Sequence, residues 1–466
     1  MHTPSRTPIL LALALGASTP LVAQASDPLI EPYRDISQRI IATALADSAA
    51  WNRLALLTDR FGNRLSGSRA LERAIDWIVA EMRQDGLDNP HTEAVKVPHW
   101  VRGFEYAELV SPRNVALPML GLGGSIGTPV EGITAPVLVV NSFDDLAARA
   151  AEASGKIVLF DVPFTNYGAT VAYRTGGAVA AARVGAVACL IRSVAPYSIR
   201  SPHTGVMGYD STVTRIPAAA LTVEDAMMIH RMQDRGEQVV VKLVMGAQTL
   251  PDADSRNVMA EVTGREHPEQ VVVLGGHIDS WDVGTGAMDD AGGVVAAWEA
   301  VRLIKRLGLT PRRTIRVVGW TNEENGSRGG RAYRESRTPE QVAAHVLAIE
   351  SDAGVFRPLG FGAGVSDSAF GILERVITLL QPIGADSLSR PGGGADIGPL
   401  MQAGVPGLGL NTAGERYFWY HHSQGDMVDK LDPADVARCV AAMAVMAYVV
   451  ADLPEPLPKG APQSEE

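Results

Sequence analysis

Residues 271–293 read VVVLGGHIDSWDVGTGAMDDAGG, and the fold of the chain follows from how that stretch is punctuated. Residues 271–274 form a short β-branched run, the composition of a strand buried on both faces. Gly275, Gly276, His277 and Asp279 follow at once. Asp289 and Asp290 then precede Gly292 and Gly293, where a helical stretch opens and continues to Arg306. The pattern recurs twice. Residues 314–320 lead into Asn322, Glu323 and Glu324, and residues 346–349 lead into Glu350 and Asp352. Strands alternating with helices predict an α/β fold with a mostly parallel central sheet flanked by helices. In such a sheet, ligands bind beyond the carboxyl ends of the strands. Three strand ends thus bring one histidine and several carboxylates to one rim, and Tyr420-His421-His422-Ser423 adds to it.

Charged side chains are rarely buried unless paired or bound to metal. Near this rim the cations in sequence reach are Arg328 and Arg331, so one or two divalent ions would supply the missing charge. Imidazole together with carboxylate suits zinc, whereas calcium and magnesium sites seldom use histidine. The chain has two cysteines, too few for a disulfide framework or a cysteine-rich zinc module. Two metals about 3.5–4 Å apart, clamped by carboxylates, are a design for hydrolysing amides and phosphates.

Composition sets the outer bounds. With 466 residues, 46% of them hydrophobic, the chain can build two or three cores. Lys and Arg total 41 against 52 Asp and Glu, a net charge of −11 with no basic stripe, which excludes a non-specific nucleic-acid binder. Residues 1–25 carry Arg6, then a short apolar run, then Ala23-Gln24-Ala25. That is the pattern of a secretory signal cleaved after Ala25, for a secreted or periplasmic protein, and it is too short for a membrane span. Residues 26–112 begin the main domain, with amphipathic helices over 35–57 and 68–84. Residues 113–245 alternate short β-rich runs with alanine-rich helices and carry no ligand cluster, as an inserted α/β module would. Residues 246–453 complete the main domain, ending in a buried helix that starts at Asp432-Pro433 rather than in a membrane anchor. Residues 454–466 form a loose tail.

In order along the chain, His277-x-Asp279, Asp289 four residues before Gly293, the pair Glu323-Glu324, Asp352 and His422 resemble the co-catalytic zinc exopeptidases, the family of bacterial zinc aminopeptidases and glutamate carboxypeptidases. The resemblance implies a zinc-exopeptidase domain, with residues 113–245 as an inserted protease-associated-type module. It implies two zinc ions per chain. Asp289 would bridge them, His277 and Asp352 would complete one, and Glu324 and His422 the other. Glu323 would be the general base for a metal-bridging hydroxide, and Asp279 would hydrogen-bond the His277 imidazole. Asp290 would cap the following helix. His422 is preferred to His421 as ligand because Asp426 follows four residues later. His421 would then face the substrate and help bind the oxyanion. Gly394 and Asp396, in the glycine-rich loop 390–396, would wall the substrate pocket, with Trp281, Phe418 and Trp419 lining it. The implied substrate is a short peptide or dipeptide, and the implied assembly a homodimer. An aminopeptidase needs an acid for the free amine, and a carboxypeptidase a cation for the free carboxylate. Arg328, Arg331 and Arg390 are the candidate cations, and the sequence does not choose between them.

Three rival functions are weaker. Gly123-Gly124-Ser125-Ile126-Gly127 matches a serine-hydrolase elbow, but residues 128–132 read as turn where a helix should follow. A non-catalytic binding protein on the same scaffold would lack ligands, and none is missing. A two-metal phosphatase has no signature here beyond the metals. Cys189 and Cys439 are expected to pack as small apolar residues. His91, His99, His203, His230, His267 and His345 show no ligand spacing.

Overall fold

A computed structural model describes residues 27–460; the expected signal segment lies outside the described residues. The chain opens with helices Arg34–Ala46, Ala49–Phe61 and Arg69–Gln84. The helix expected over 35–57 is thus two, because the Asp47 carboxylate accepts the Ala49 amide at 2.9 Å and turns the chain between them. In the third helix the Ser68 hydroxyl caps the first turn at the Leu71 amide. Leu71, Ile75, Ile78 and Met82 form its buried face.

These helices cover one side of an eight-stranded sheet. Its order is Asp88–Val101, Gln248–Val262, Arg313–Trp320, His267–His277, His345–Glu350, Gly407–Thr412, Pro358–Gly364 and Ser387–Ser389. The third to sixth strands in that order run parallel. The strand that borders them on each side, Gln248–Val262 and Pro358–Gly364, joins them antiparallel. The parallel core of the sheet therefore holds all three strands whose ends carry acids and His277.

Helix Gly292–Arg306 and the C-terminal helix Pro433–Asp452 pack together beneath the sheet, with the helical face from Val294 to Val301 and residues Cys439 to Val450 buried. Among the described residues, Pro433–Asp452 alone is long and apolar enough to cross a membrane, and it is buried in this core. A second core on the opposite face joins Tyr333, Trp320, Leu400 and Met401.

A second eight-stranded sheet is drawn from Glu105 to Met245, with Ile133–Val140, Ile157–Phe160, Ala188–Arg192 and Ala218–Leu221 parallel at its centre. It has a core on each face. The two modules meet at a small apolar cluster of Leu65, Trp100, Leu120 and Trp281. Gly123 allows this approach, since a Cβ there would stand 1.9 Å from the Trp281 ring.

Trp298 is fully buried, meets the Trp77 ring edge-on and donates its indole N–H to Asp85 at 2.9 Å. Trp298→Ala should cost about 3–5 kcal/mol, read as a lower urea midpoint with an unchanged slope.

Candidate active site

His277 ends its strand, and its main-chain amide donates to Asp290 Oδ2 at 3.1 Å. Asp290 Oδ1 accepts the Gly293 amide at 3.0 Å, so Asp290 ties the first turn of the helix, whose N-cap residue is Ala291, to the His277 strand end. Close approach is required here: a Cβ on Gly293 would stand 1.9 Å from the Ser351 carbonyl. Asp289 lies in the turn Ala287–Ala291 just before. Asp426 holds that turn, its carboxylate accepting the amides of Ala287 at 2.8 Å, Met288 at 2.9 Å and Asp289 at 3.3 Å. The buried Arg64 guanidinium supports the other side, donating to the carbonyls of Ile278, Thr285 and Gly286. Neither Arg64 nor its role was legible in sequence, because all its partners are main-chain oxygens.

The five expected ligands converge. His277 Nε2 lies 3.2 Å from Asp289 Oδ1 and 3.4 Å from Asp352 Oδ1. His422 Nε2 lies 3.3 Å from Asp289 Oδ2 and 3.0 Å from Glu324 Oε2. The two oxygens of Asp289 thus face different partners. His421 Nε2 is also 3.4 Å from Asp289 Oδ2, with its ring stacked on His422 at 3.5 Å. Four atoms here are buried and make no hydrogen bond: His277 Nε2, Asp289 Oδ2, Glu324 Oε1 and Asp352 Oδ1. Orphaned donor atoms of this kind, gathered at one point, suit a cation, and imidazole with carboxylate suits zinc.

The electrostatics agree. Burial, then the neighbouring Asp289, pushes Glu324 up to about 7. Burial also raises Glu323 well above the usual carboxylate range, with the Asp352 and Glu324 charges adding to the rise. Burial works against a charged His422, yet Glu324 and Asp289 hold it up to about 9. Burial and the adjacent His422 keep His421 well below the ordinary imidazole range.

Asp279 departs from its expected role. His277 Nδ1 donates to the Asp279 main-chain carbonyl at 2.9 Å, while the nearest carboxylate oxygen is 3.7 Å away. That carboxylate instead accepts the amides of Glu323 at 3.0 Å and Glu324 at 3.3 Å. One residue therefore orients the imidazole through its backbone and the two glutamates through its side chain.

A cleft of about 420 Å³ opens over the cluster, walled by Glu323, Asp352, His421, His422, Tyr167 and Arg174. Gly394 and Asp396 do not line it. Gly394 packs so closely on Glu350 that a Cβ would stand 2.3 Å from its carboxylate, and Asp396 is 1% exposed. The loop runs behind the strand end, where the Ile397 amide donates to Glu350 at 2.9 Å. Of the aromatics, Phe418 stands in the cleft wall, stacked on Tyr167 at 5.0 Å. Trp281 is buried against the His422 ring, and Trp419 packs on Tyr197.

None of the three candidate arginines reaches the cleft. Arg328 pairs with Asp252, Arg390 pairs with Asp367, and Arg331 donates to the Gly326 carbonyl. The cation in the cleft wall is Arg174, from helix Tyr167–Arg183 of the second module. It is buried, with no carboxylate among the described residues within salt-bridge distance; it donates to the Tyr167 hydroxyl at 2.9 Å and the Val206 carbonyl at 3.2 Å, and its Nη1 lies 3.4 Å from His422 Nδ1. The one sequence signal was the seven-residue spacing of Tyr167 and Arg174, which puts them on one helix face.

Ser125 is not a nucleophile: it is buried, donates to the Ile126 carbonyl and accepts the Ala218 amide. Cys189 and Cys439 are free and buried. A larger cavity of about 550 Å³ opens near the amino ends of the central strands, but its Arg337 is already paired with Glu93 at 3.0 Å, and the orphaned ligand atoms lie at the smaller cleft.

Residues 257–447 match the model of peptidase family M28. Carboxypeptidase Q of Xenopus laevis is 51% identical over 433 residues, covering 92% of each chain. The chain belongs to peptidase family M28. Human carboxypeptidase Q is 50% identical, covering 91% of this chain and 90% of that one. A crystal structure of a peptidase M28 precursor from Shewanella amazonensis superposes with a TM-score of 0.88 at 36% identity, over 91% of this chain and 98% of that one. An aminopeptidase from Aneurinibacillus sp. shares the fold, with a TM-score of 0.64 at 19% identity over 92% of this chain and 98% of that one. With this membership and this donor set, the chain is a zinc-dependent metallopeptidase.

The pKa shifts give a prediction. Glu324, ordinarily 4.5, and Asp426, ordinarily 3.8, are both pushed up to about 7, chiefly by burial. In metal-free protein their ionisation therefore costs stability as pH rises through that window. His422, raised from 6.5 to about 9, contributes stability below pH 6.5 that is lost by about pH 9. Both slopes have the same sign. Melting curves with and without a chelator should show the metal-free protein losing Tm from pH 5 to 9. The gap to zinc-loaded protein should widen over the same range; a constant gap would contradict the charge assignment.

Proposed function

We propose that this chain is an exported exopeptidase that uses two zinc ions to hydrolyse short peptides or dipeptides, with Glu323 as general base. The observation that carries this is the orientation of Asp289, whose Oδ1 faces His277, itself beside Asp352, while its Oδ2 faces His422. Glu324 lies beside His422 on that second side. His277 and Asp352 would hold one ion and His422 and Glu324 the other, with Asp289 shared. Bound zinc would polarise the scissile carbonyl and acidify the attacking water.

The protein's own groups do the rest. Glu323 stands in the cleft beside Glu324, its main-chain amide held by Asp279. In this reading it takes a proton from the water and returns it to the leaving amine, a role worth typically 10²–10⁴-fold. His421, kept neutral, would donate an N–H to the developing oxyanion. Arg174 supports recognition of a free carboxylate, since it is the guanidinium in the cleft wall and pairs with no carboxylate of the described residues. Relatives named carboxypeptidase Q support the same polarity of cleavage. Export rests on the Ala23-Gln24-Ala25 pattern.

Glu323→Gln should retain zinc, measured by atomic emission, and lose turnover by about 10²–10⁴-fold. Near wild-type turnover would sink the assignment of the base. A panel of free, N-blocked and C-amidated dipeptides tests polarity. Free and N-blocked substrates should be cleaved, and C-amidated ones should not. Arg174→Met should raise KM for C-free substrates roughly 10–100-fold, the loss expected for a hydrogen bond to a charged group. An unchanged KM for C-free substrates would remove Arg174 from this role.

A further inference from the structure

His422 has a backbone φ of +59°, a left-handed conformation that non-glycine residues seldom adopt. Part of what holds it comes from the second module. The Thr204 amide donates to the His422 carbonyl at 2.9 Å, and His203 Nδ1 donates to the His421 carbonyl at 2.6 Å. His203 also forms an antiparallel bridge with Ser423. The clasp is anchored in its own module: the His203 amide donates to Ser193 Oγ at 2.9 Å, and that hydroxyl donates to the Leu221 carbonyl at 2.6 Å. Thr204 Oγ1 donates to the Gly121 carbonyl at 2.8 Å. Leu221 and Gly121 lie on paired strands of the second sheet. His203 is 2% exposed, and the acceptor of its Nδ1 lies in the segment that carries the histidines of the cleft.

We propose that His203 is a positioning residue for the metal site: the second module clamps the His421–His422 backbone so that the His422 imidazole is aimed at Glu324 and Asp289. The inserted module is then part of the site's supporting structure as well as of its cleft wall. This rests on the reading above, that His422 ligates one of two zinc ions. Groups that orient a metal ligand typically change metal affinity 10–100-fold when removed.

The test is a two-step zinc titration of metal-free protein against a chromophoric chelator, with thermal melts of the metal-free forms. His203→Leu fills the buried space but removes the donor, whereas His203→Asn keeps an N–H near the position of Nδ1. His203→Leu should weaken one zinc step about 10–100-fold, leaving the other step and the metal-free Tm unchanged. His203→Asn should stay within about threefold of wild type, since it retains the donor that matters. His422→Ala is the control and should abolish the same step. Two intact steps in His422→Ala would overturn the ligand assignment itself. Loss in His422→Ala but wild-type steps in His203→Leu would overturn the clamp alone. Equal weakening of both steps, a lowered metal-free Tm, or failure of His203→Leu to fold would each assign His203 a general structural role and overturn the proposal.

Discussion

The structure turns on the placement of one carboxylate. Asp289 is buried at the mouth of the central sheet with one oxygen toward His277 and the other toward His422. A buried carboxylate between two imidazoles and beside two further acids is stable only if cations or protons balance the charge. The surroundings are built to keep it there regardless. Asp426 gathers three amides of its turn, Asp290 ties the next helix to the His277 strand, and Arg64 binds the loop between. Part of the chain's net charge of −11 is thereby concentrated at one point rather than spread over the surface.

Much of this was legible in the sequence, because chemistry and topology coincide. Short β-branched runs followed at once by acid or histidine mark the carboxyl ends of parallel strands, and ligands gather there in any open α/β sheet. His277, Asp289, Glu324, Asp352 and His422, the set that the family resemblance implied, lie together, and Asp290 accepts the Gly293 amide at the start of the next helix. What stayed hidden depends on main-chain geometry or on distant segments. Asp279 orients His277 through a carbonyl, which every residue possesses, while its carboxylate serves the glutamate backbone. The glycine-rich loop at Gly394 and Asp396 looked like a pocket wall because glycine permits close approach. The surface it approaches is Glu350, behind the strand end.

The second module illustrates the same limit at larger scale. Its own segment carries no ligand cluster, and from sequence it could be read only as an insertion. In the fold it supplies Arg174 and Tyr167 to the cleft and two hydrogen-bond donors to the His421–His422 backbone. Arg174 sits in an alanine-rich helix with no motif around it. The arginines near the ligand motifs, Arg328, Arg331 and Arg390, are engaged elsewhere. Proximity in sequence therefore misleads for cations, whose long side chains pair with whatever acid or carbonyl the fold brings near.

The central claim is that Asp289 is shared by two zinc ions, and anomalous X-ray scattering at the zinc edge from crystals of the zinc-loaded protein tests it most directly. Two peaks about 3.5–4 Å apart are expected, one beside each oxygen of Asp289. One falls between His277 and Asp352 and the other between His422 and Glu324. A single peak, or a pair that leaves Asp289 to one side, would contradict it.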